Sequence, residues 1–188
     1  MPLNVLLLGP QGAGKGTQAM RISAEYGIPH IASGEILRAE LDAGTELGKR
    51  VKETIERGDL VSDDLMIELI RSRLEQPDTE EGFVLDGFPR TIVQAEALDS
   101  MFADIGKNFS VAFTLQIPDE VAFDRLRRRA RADDTDEAIQ RRLDNYHRET
   151  EPLIEFYRTR GNVVPIHANR SENEVFAEIS RALEQVPA

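Results

Sequence analysis

Gly9-Pro10-Gln11-Gly12-Ala13-Gly14-Lys15-Gly16-Thr17 follows the apolar run Val5-Leu6-Leu7-Leu8 without a break. That order dictates a buried strand, a tight turn built from glycines and a helix beginning at the lysine. The glycines let successive backbone N–H groups turn inward as a nest, and the helix N-terminus adds positive potential. Lys15 then reaches the outer phosphates of a bound nucleotide. The cradle comprises Gly12, Ala13, Gly14, Lys15, Gly16 and Thr17, and it predicts a nucleoside triphosphate as ligand. A ligand-free turn of the same shape would give Lys15 little reason to stand there.

The common phosphate loop carries Ser or Thr directly after the lysine to ligate Mg²⁺. Here that position is Gly16, and Thr17 comes one residue late. The loop resembles the G-x-x-G-x-G-K-G-T loop of nucleoside monophosphate kinases. It implies a Mg²⁺ ion that arrives with ATP and leans on the nucleotide and on water more than on a loop hydroxyl.

The 188 residues suffice to bury a core as one domain. The N-terminal Leu run is short and leads straight into the loop, with no secretory signal pattern, and no apolar stretch approaches the roughly 20 residues of a membrane span. The expectation is a soluble, cytoplasmic protein without membrane contact. Cysteine is absent, which excludes disulfides, thiolate nucleophiles and cysteine zinc sites, and His30, His147 and His167 lack metal-ligand spacing. Acidic residues outnumber basic ones by 34 to 23, a net charge of -11 that argues against a nucleic-acid partner. A polyanionic substrate therefore requires arginines concentrated locally against a repulsive background.

Strand-like apolar runs recur at 4–8, 29–32, 83–85, 111–117 and 163–166, separated by segments of helical periodicity. Helices are expected over 15–26, 34–41, 46–57, 63–74, 91–102, 119–128, 137–160 and 172–185, with Ser62-Asp63 as the cap of the fourth. This alternation predicts an α/β fold of the phosphate-loop NTPase type: three layers, with a five-stranded parallel sheet flanked by helices. Ligands of such sheets gather at the carboxyl ends of the strands. Two helical stretches between 33 and 60 read as a small flap rather than a simple crossover.

Phe83-Val84-Leu85-Asp86-Gly87-Phe88-Pro89-Arg90 is an apolar strand ending in an aspartate, followed by a glycine turn and a rigid Phe-Pro-Arg. Asp86 on its own either caps the next turn or orients a Mg²⁺ shell; beside a phosphate loop the metal role, through water, is favoured. Arg90, fixed by Pro89, would aim its fork of donors at phosphate oxygens.

Together with Ser33-Gly34-Glu35-Ile36-Leu37-Arg38, these motifs resemble the three signatures of adenylate kinases over essentially the whole chain. The resemblance implies ATP + AMP ⇌ 2 ADP with Mg²⁺, adenine nucleotide homeostasis and a monomeric enzyme. It implies a core of residues 1–32, 61–124 and 135–188, a monophosphate-binding flap at 33–60 and a short lid at 125–134. Arg38 would touch the acceptor phosphate, and the Gly87-Phe88-Pro89-Arg90 turn would belong to the AMP site. The backbone of Asp59, Leu60 and Val61 would line the acceptor adenine. Ser33 offers a hydroxyl and Gln94 an amide to that base, and related pyrimidine monophosphate kinases tend to carry Ala and Asn there. Apart from the resemblance, Arg38 is an exposed helical arginine, and Gln94 either turns its amide toward a base or is an exposed helix residue.

Arg125-Leu126-Arg127-Arg128-Arg129-Ala130-Arg131-Ala132-Asp133-Asp134, with Arg142 further on, could be a solvated helix face. By resemblance it is the lid: Arg125 stacks on the ATP adenine, Arg129 grips the donor phosphates, and Arg131 and Arg142 bridge the transferred group and the acceptor phosphate. Lys15, Arg90, Arg129, Arg131 and Arg142 are the expected catalytic residues. Only Ala130 separates Arg129 from Arg131, so the inserted domain of longer relatives, with its zinc site, is absent. Arg170 falls where the family presents a backbone carbonyl to the ATP adenine. Arg127 and Arg128 receive no role.

Because the acceptor phosphate, with a second pKa near 6, is largely ionised at neutral pH, the transfer needs no general base. The competing readings are a UMP or CMP kinase, or a phosphate-loop switch or NTPase, which would leave D-G-F-P-R and the arginine run unused.

Overall fold

In the computed structural model, which describes residues 2–161 and 163–186, five strands form one sheet. They are β1 (Leu3–Leu8), β2 (His30–Ala32), β3 (Gly82–Asp86), β4 (Val111–Gln116) and β5 (Val163–His167). All neighbours are parallel, in the order β2-β3-β1-β4-β5. The helices are α1 (Lys15–Tyr26), α2 (Ser33–Asp42), α3 (Glu46–Arg57), α4 (Asp63–Leu74), α5 (Ile92–Asp104), α6 (Asp119–Arg129), α7 (Asp136–Asn145), α8 (Leu153–Arg158) and α9 (Glu172–Leu183).

The three layers follow from the period of two along each strand. Leu6, Leu8, Phe83, Leu85 and Ala112 point to one face, where they pack with Ile70, Leu98 and Tyr157 of α4, α5 and α8. Val5, Leu7, Val84, Phe113 and Leu115 point to the other and meet Ile22, Val175 and Ile179 of α1 and α9. Strands buried on both faces are continuous apolar runs for this reason. Pro165 is tolerated because β5 is an edge strand, paired only with β4. A smaller cluster of Ala122, Leu126, Ile139 and Leu143 fixes α6 to α7 and so holds both ends of the arginine-rich segment.

Central β1 pairs with β3 on one side and β4 on the other. The chain order reverses there, and the loop leaving β1 opens at the carboxyl edge of the sheet, where such folds hold ligands. Gly12 adopts φ +86°, and a Cβ added to it would lie 2.6 Å from the carbonyl oxygen of Ala122 on α6. The loop can pass that close to α6 only with glycine there.

Several sequence expectations need correction. The single helix expected over 137–160 is broken into α7, a π-helical turn at Tyr146–Thr150 and α8. Pro152 lacks the N–H that a continuous helix would use, and the Glu151 N–H donates five residues back, to Tyr146 O at 2.8 Å. Ser62 occupies the cap position of α4, but its side chain makes no capping bond. A 3₁₀ turn at Pro77–Thr79 was not expected. Ser33 is the first residue of α2 rather than the loop before it.

Candidate active site

One cleft of about 770 Å³ runs along the carboxyl edge of the sheet. Gly12, Ala13, Gly14, Lys15, Gly16 and Thr17 form its floor, and Asp86 lies beside them. Arg125, Arg129 and Arg170 line one end; Ser33, Arg38, Asp59, Leu60, Val61, Gly87, Arg90 and Gln94 line the other, and Arg131 and Arg142 also face the space. Phe88 and Pro89 do not line it. Phe88 is only 1% exposed and belongs to the apolar core, and Pro89 turns toward a small separate cavity. The peptide bond between them is cis.

α1 begins at Lys15, after Gly14 in a left-handed conformation and with no side-chain cap, so its first N–H groups face the cleft. Lys15 Nζ donates to Gly9 O at 2.8 Å and Pro10 O at 3.0 Å, which folds the amine back over the loop. Burial pulls its pKa down to about 8; Asp86 opposes the shift, while Arg90 and Arg129 add to it. Asp86 ends β3. Burial raises its pKa, but the His30 imidazole and the charges of Lys15 and Arg90 outweigh this and hold the carboxyl below its usual range. His30 Nε2 stands 3.7 Å from Asp86 Oδ2. Gly16 lies beside the same oxygen, which a Cβ added to the glycine would meet at an ordinary contact distance of 3.7 Å.

Arg90 is held by its backbone. Its N–H donates to Gln94 Oε1 at 2.8 Å, its carbonyl accepts from Thr150 Oγ1 at 2.8 Å, and its Nε donates to Gly87 O at 2.7 Å. No hydrogen bond among the described residues uses its two terminal nitrogens. Arg38 and the Arg131 guanidinium likewise have no protein partner among the described residues. Burial lowers the Arg38 pKa, with repulsion from Arg131 and Arg129 adding to the shift and Asp133 opposing it. The Arg90 pKa is lowered by burial and by Arg142 and Arg38, against Asp86. An acidic chain has thus gathered mutually repelling cations around an empty space, which a polyanion would relieve.

Asp133 and Asp134 bond the arginines of the cleft in a way that the motifs did not reveal. Asp134 Oδ1 accepts from Arg129 Nη2 and Arg142 Nη1, both at 2.7 Å, and Oδ2 accepts from Arg129 Nε and the Arg131 N–H. Asp133 pairs with Arg142 Nη2. With its side chain fully buried, Asp134 orients two arginines from behind. Arg142 also donates to Ile55 O at 3.4 Å, which ties this segment to the helices of 33–60. The only available signal was two acids directly after the arginine run.

At the other end Ser33 Oγ donates to Gly87 O at 2.7 Å, so the hydroxyl offers a ligand only lone pairs. Gln94 is 2% exposed, which excludes the alternative of an exposed helix residue. Arg125 donates to Gly12 O and Ala168 O, which spreads its guanidinium over the opposite end. The Arg170 side chain bonds His167 O and Glu178. Arg127 pairs with Asp136 on the surface. Ala130, the C-cap of α6, is the one non-glycine residue with positive φ among the described residues, at +52°.

A parallel sheet whose central strand feeds a phosphate loop into an arginine-lined cleft defines a nucleotide-dependent phosphotransferase. Comparison with known proteins agrees. The family model described as adenylate kinase matches residues 7–162. An adenylate kinase of Stenotrophomonas maltophilia (strain K279a) is 43% identical over 96% of this chain and 99% of its own. One of Phocaeicola vulgatus is 44% identical over 98% of this chain and 100% of its own. One of Methanosarcina barkeri (strain Fusaro / DSM 804) is 39% identical over 97% and 99%. The chain belongs to the adenylate kinase family. Its substrates are accordingly adenine nucleotides. No helix among the described residues is long and apolar enough to cross a membrane.

Proposed function

We propose that the cleft carries out Mg²⁺-dependent ATP + AMP ⇌ 2 ADP with the donor at the Arg125 end and the acceptor at the Gln94 end. The observation that carries this reading is the set of Arg38, Arg90 and Arg131, whose terminal guanidinium nitrogens have no protein partner among the described residues and which line the cleft between the phosphate loop and the Ser33–Gln94 end. They neutralise a second phosphate, which an NTPase acting on water would not require.

In this reading the phosphate-loop N–H groups and Lys15 bind the donor phosphates, while Arg125 stacks on the donor base beside the Arg170 backbone. Arg129, Arg131 and Arg142 hold the group in transit, and Arg38 and Arg90 hold the acceptor phosphate. Leu60, Val61, Ser33 and Gln94 surround the acceptor base, with the backbone at Asp59 and Gly87 closing its edge. The transition state is loose and anionic, so charge and in-line positioning supply the catalysis. Residues 33–60 and 125–134 act as flap and lid that exclude water.

The Asp86 carboxylate, held charged and lining the cleft beside the phosphate loop, suits a hard cation that retains its water shell. Asp86 would hold Mg²⁺ through water, with Thr17 near the phosphates; the ion would supply neutralisation of the donor phosphates' charge. The enzyme is read as a cytoplasmic monomer.

In the assay that tests this reading, two ADP form for each ATP consumed when AMP is present, without inorganic phosphate. Phosphate release independent of AMP would overturn it. Lys15 adds a pH signature. In the free enzyme its proton is lost above about 8, so kcat/KM for ATP falls as pH rises through that value. Bound phosphates restore the ammonium, so kcat at saturation stays level further. Since the folded pKa lies below the ordinary 10.5, the charged lysine costs stability below pH 8 and that cost is relieved as the pH rises toward 10.5. A kcat/KM profile level to pH 10 would contradict this placement of Lys15.

A further inference from the structure

The orientation of the Gln94 amide is fixed from two sides. Its Oε1 accepts from the Arg90 backbone N–H at 2.8 Å, and a backbone N–H can only donate. Its Nε2 donates to Asp63 Oδ1 at 2.8 Å. Asp63 is the first residue of α4, and the same Oδ1 accepts from Thr91 Oγ1 at 2.9 Å. Thr91 in turn caps α5 by accepting from the Gln94 N–H at 3.2 Å. Asp63 thus joins the starts of α4 and α5 and holds the amide of a residue it does not itself resemble in position: Gln94 lines the cleft, whereas Asp63 stands behind it.

An amide has two acceptor lone pairs and two N–H groups. After these two bonds Gln94 keeps one of each for a ligand, in a fixed order. Rotating the amide would set Nε2 against the Arg90 N–H and Oε1 against the Asp63 carboxylate, losing both bonds and creating two repulsive contacts. Adenine presents a 6-amino donor beside the N1 acceptor. Hypoxanthine, of the same shape, presents a 6-oxo acceptor beside an N1–H donor. A freely rotating glutamine would serve either base equally. Ser33 adds to the bias, since its hydroxyl proton is spent on Gly87 O and only lone pairs remain for an exocyclic amino group.

We infer that Asp63 is a positioning residue for base specificity, locking the Gln94 amide in the orientation that accepts a 6-amino purine monophosphate and rejects a 6-oxo purine. This rests on the acceptor site proposed above. Selectivity here is a difference between two binding energies, made largely by the bonds the wrong base would break.

The test compares kcat/KM for AMP and for IMP with MgATP as donor. Both rates come from one enzyme preparation, so any loss of folded protein cancels from their ratio. Asp63→Ala removes one of the two bonds holding the amide and is expected to lower the AMP:IMP ratio about tenfold, with kcat for AMP within about threefold of the parent. Asp63→Asn, which can still present an Oδ1 acceptor to Thr91 and Gln94, retains most of the ratio. Gln94→Ala gives the lowest ratio of all. If Asp63→Ala keeps the parental ratio while Gln94→Ala loses it, Asp63 does not set the orientation and the inference fails. Absence of AMP-dependent ADP formation in the parent enzyme would instead reject the site on which the inference rests.

Discussion

Replacing Lys15 with Met lowers kcat by about a thousandfold or more while the thermal midpoint moves by only a few degrees. The size follows from the position of the amine, in the cleft floor at the start of α1 and beside the phosphate loop. Removing one preorganised donor from a developing charge costs about a hundred- to a thousandfold in other acyl- and phosphoryl-transfer sites. Lys15 additionally spans the turn through Gly9 O and Pro10 O. Stability changes little because two effects oppose: the carbonyls lose a donor, but a cation whose pKa burial has pulled to about 8 no longer has to be held. Methionine fills much of the same volume. Steady-state ADP formation together with a melting curve checks both halves, and near-parental turnover in the folded variant rejects the assigned role.

Arg90→Ala is expected to have a comparable effect, again about a thousandfold on kcat, with a larger rise in KM for AMP than for ATP. The structure separates the guanidinium from the fold. Gln94 and Thr150 hold the Arg90 backbone N–H and carbonyl, so the turn keeps its place when the side chain is cut. What is lost is a pair of terminal nitrogens with no protein partner among the described residues, and a bidentate fork is the geometry that suits a phosphate. Relief of the repulsion from Arg142 and Arg38 offsets part of the lost Arg90 Nε to Gly87 O bond. Titrating AMP at saturating ATP, and the reverse, reads the asymmetry. Equal rises in both KM values would place Arg90 elsewhere in the chemistry.

The sheet was legible because its strands are continuous apolar runs and its helices begin at recognisable punctuation. α1, α3 and α4 have the limits that the sequence suggests. Where local pattern and tertiary demands disagreed, the tertiary demands prevailed. The stretch after Asp136 has one helical period, yet Pro152 removes an N–H and the chain inserts a π-helical turn. That turn carries Thr150, which donates to the Arg90 carbonyl, and it follows directly on Asn145, the end of α7, which donates to Gly58 O; no short motif encodes either contact.

The candidate site divides in the same way. The phosphate loop, D-G-F-P-R and the arginine run are contiguous, and each has a chemistry that its residues announce. Phe88 and Pro89 came along with their motif although their side chains belong to the core and to a separate cavity. Asp134 and Asp63 were silent because their importance lies in what they hold. A carboxylate that orients Arg129 and Arg142, or the amide of Gln94, is indistinguishable in sequence from the many surface acids of a chain carrying 34 of them. Gln94 itself is on a helix near the cap, where an exposed position was the alternative to a base contact; its burial depends on α4 crossing beside it.

The central claim is that donor and acceptor halves meet in one cleft built for AMP. It is tested most directly by measuring ADP formation from MgATP with AMP, UMP, CMP and GMP in parallel, at equal concentrations and with a no-acceptor control. The account predicts that AMP exceeds each of the others in kcat/KM by at least about a hundredfold, with little ADP in the control. UMP or CMP surpassing AMP, or ADP forming equally without any acceptor, would contradict it.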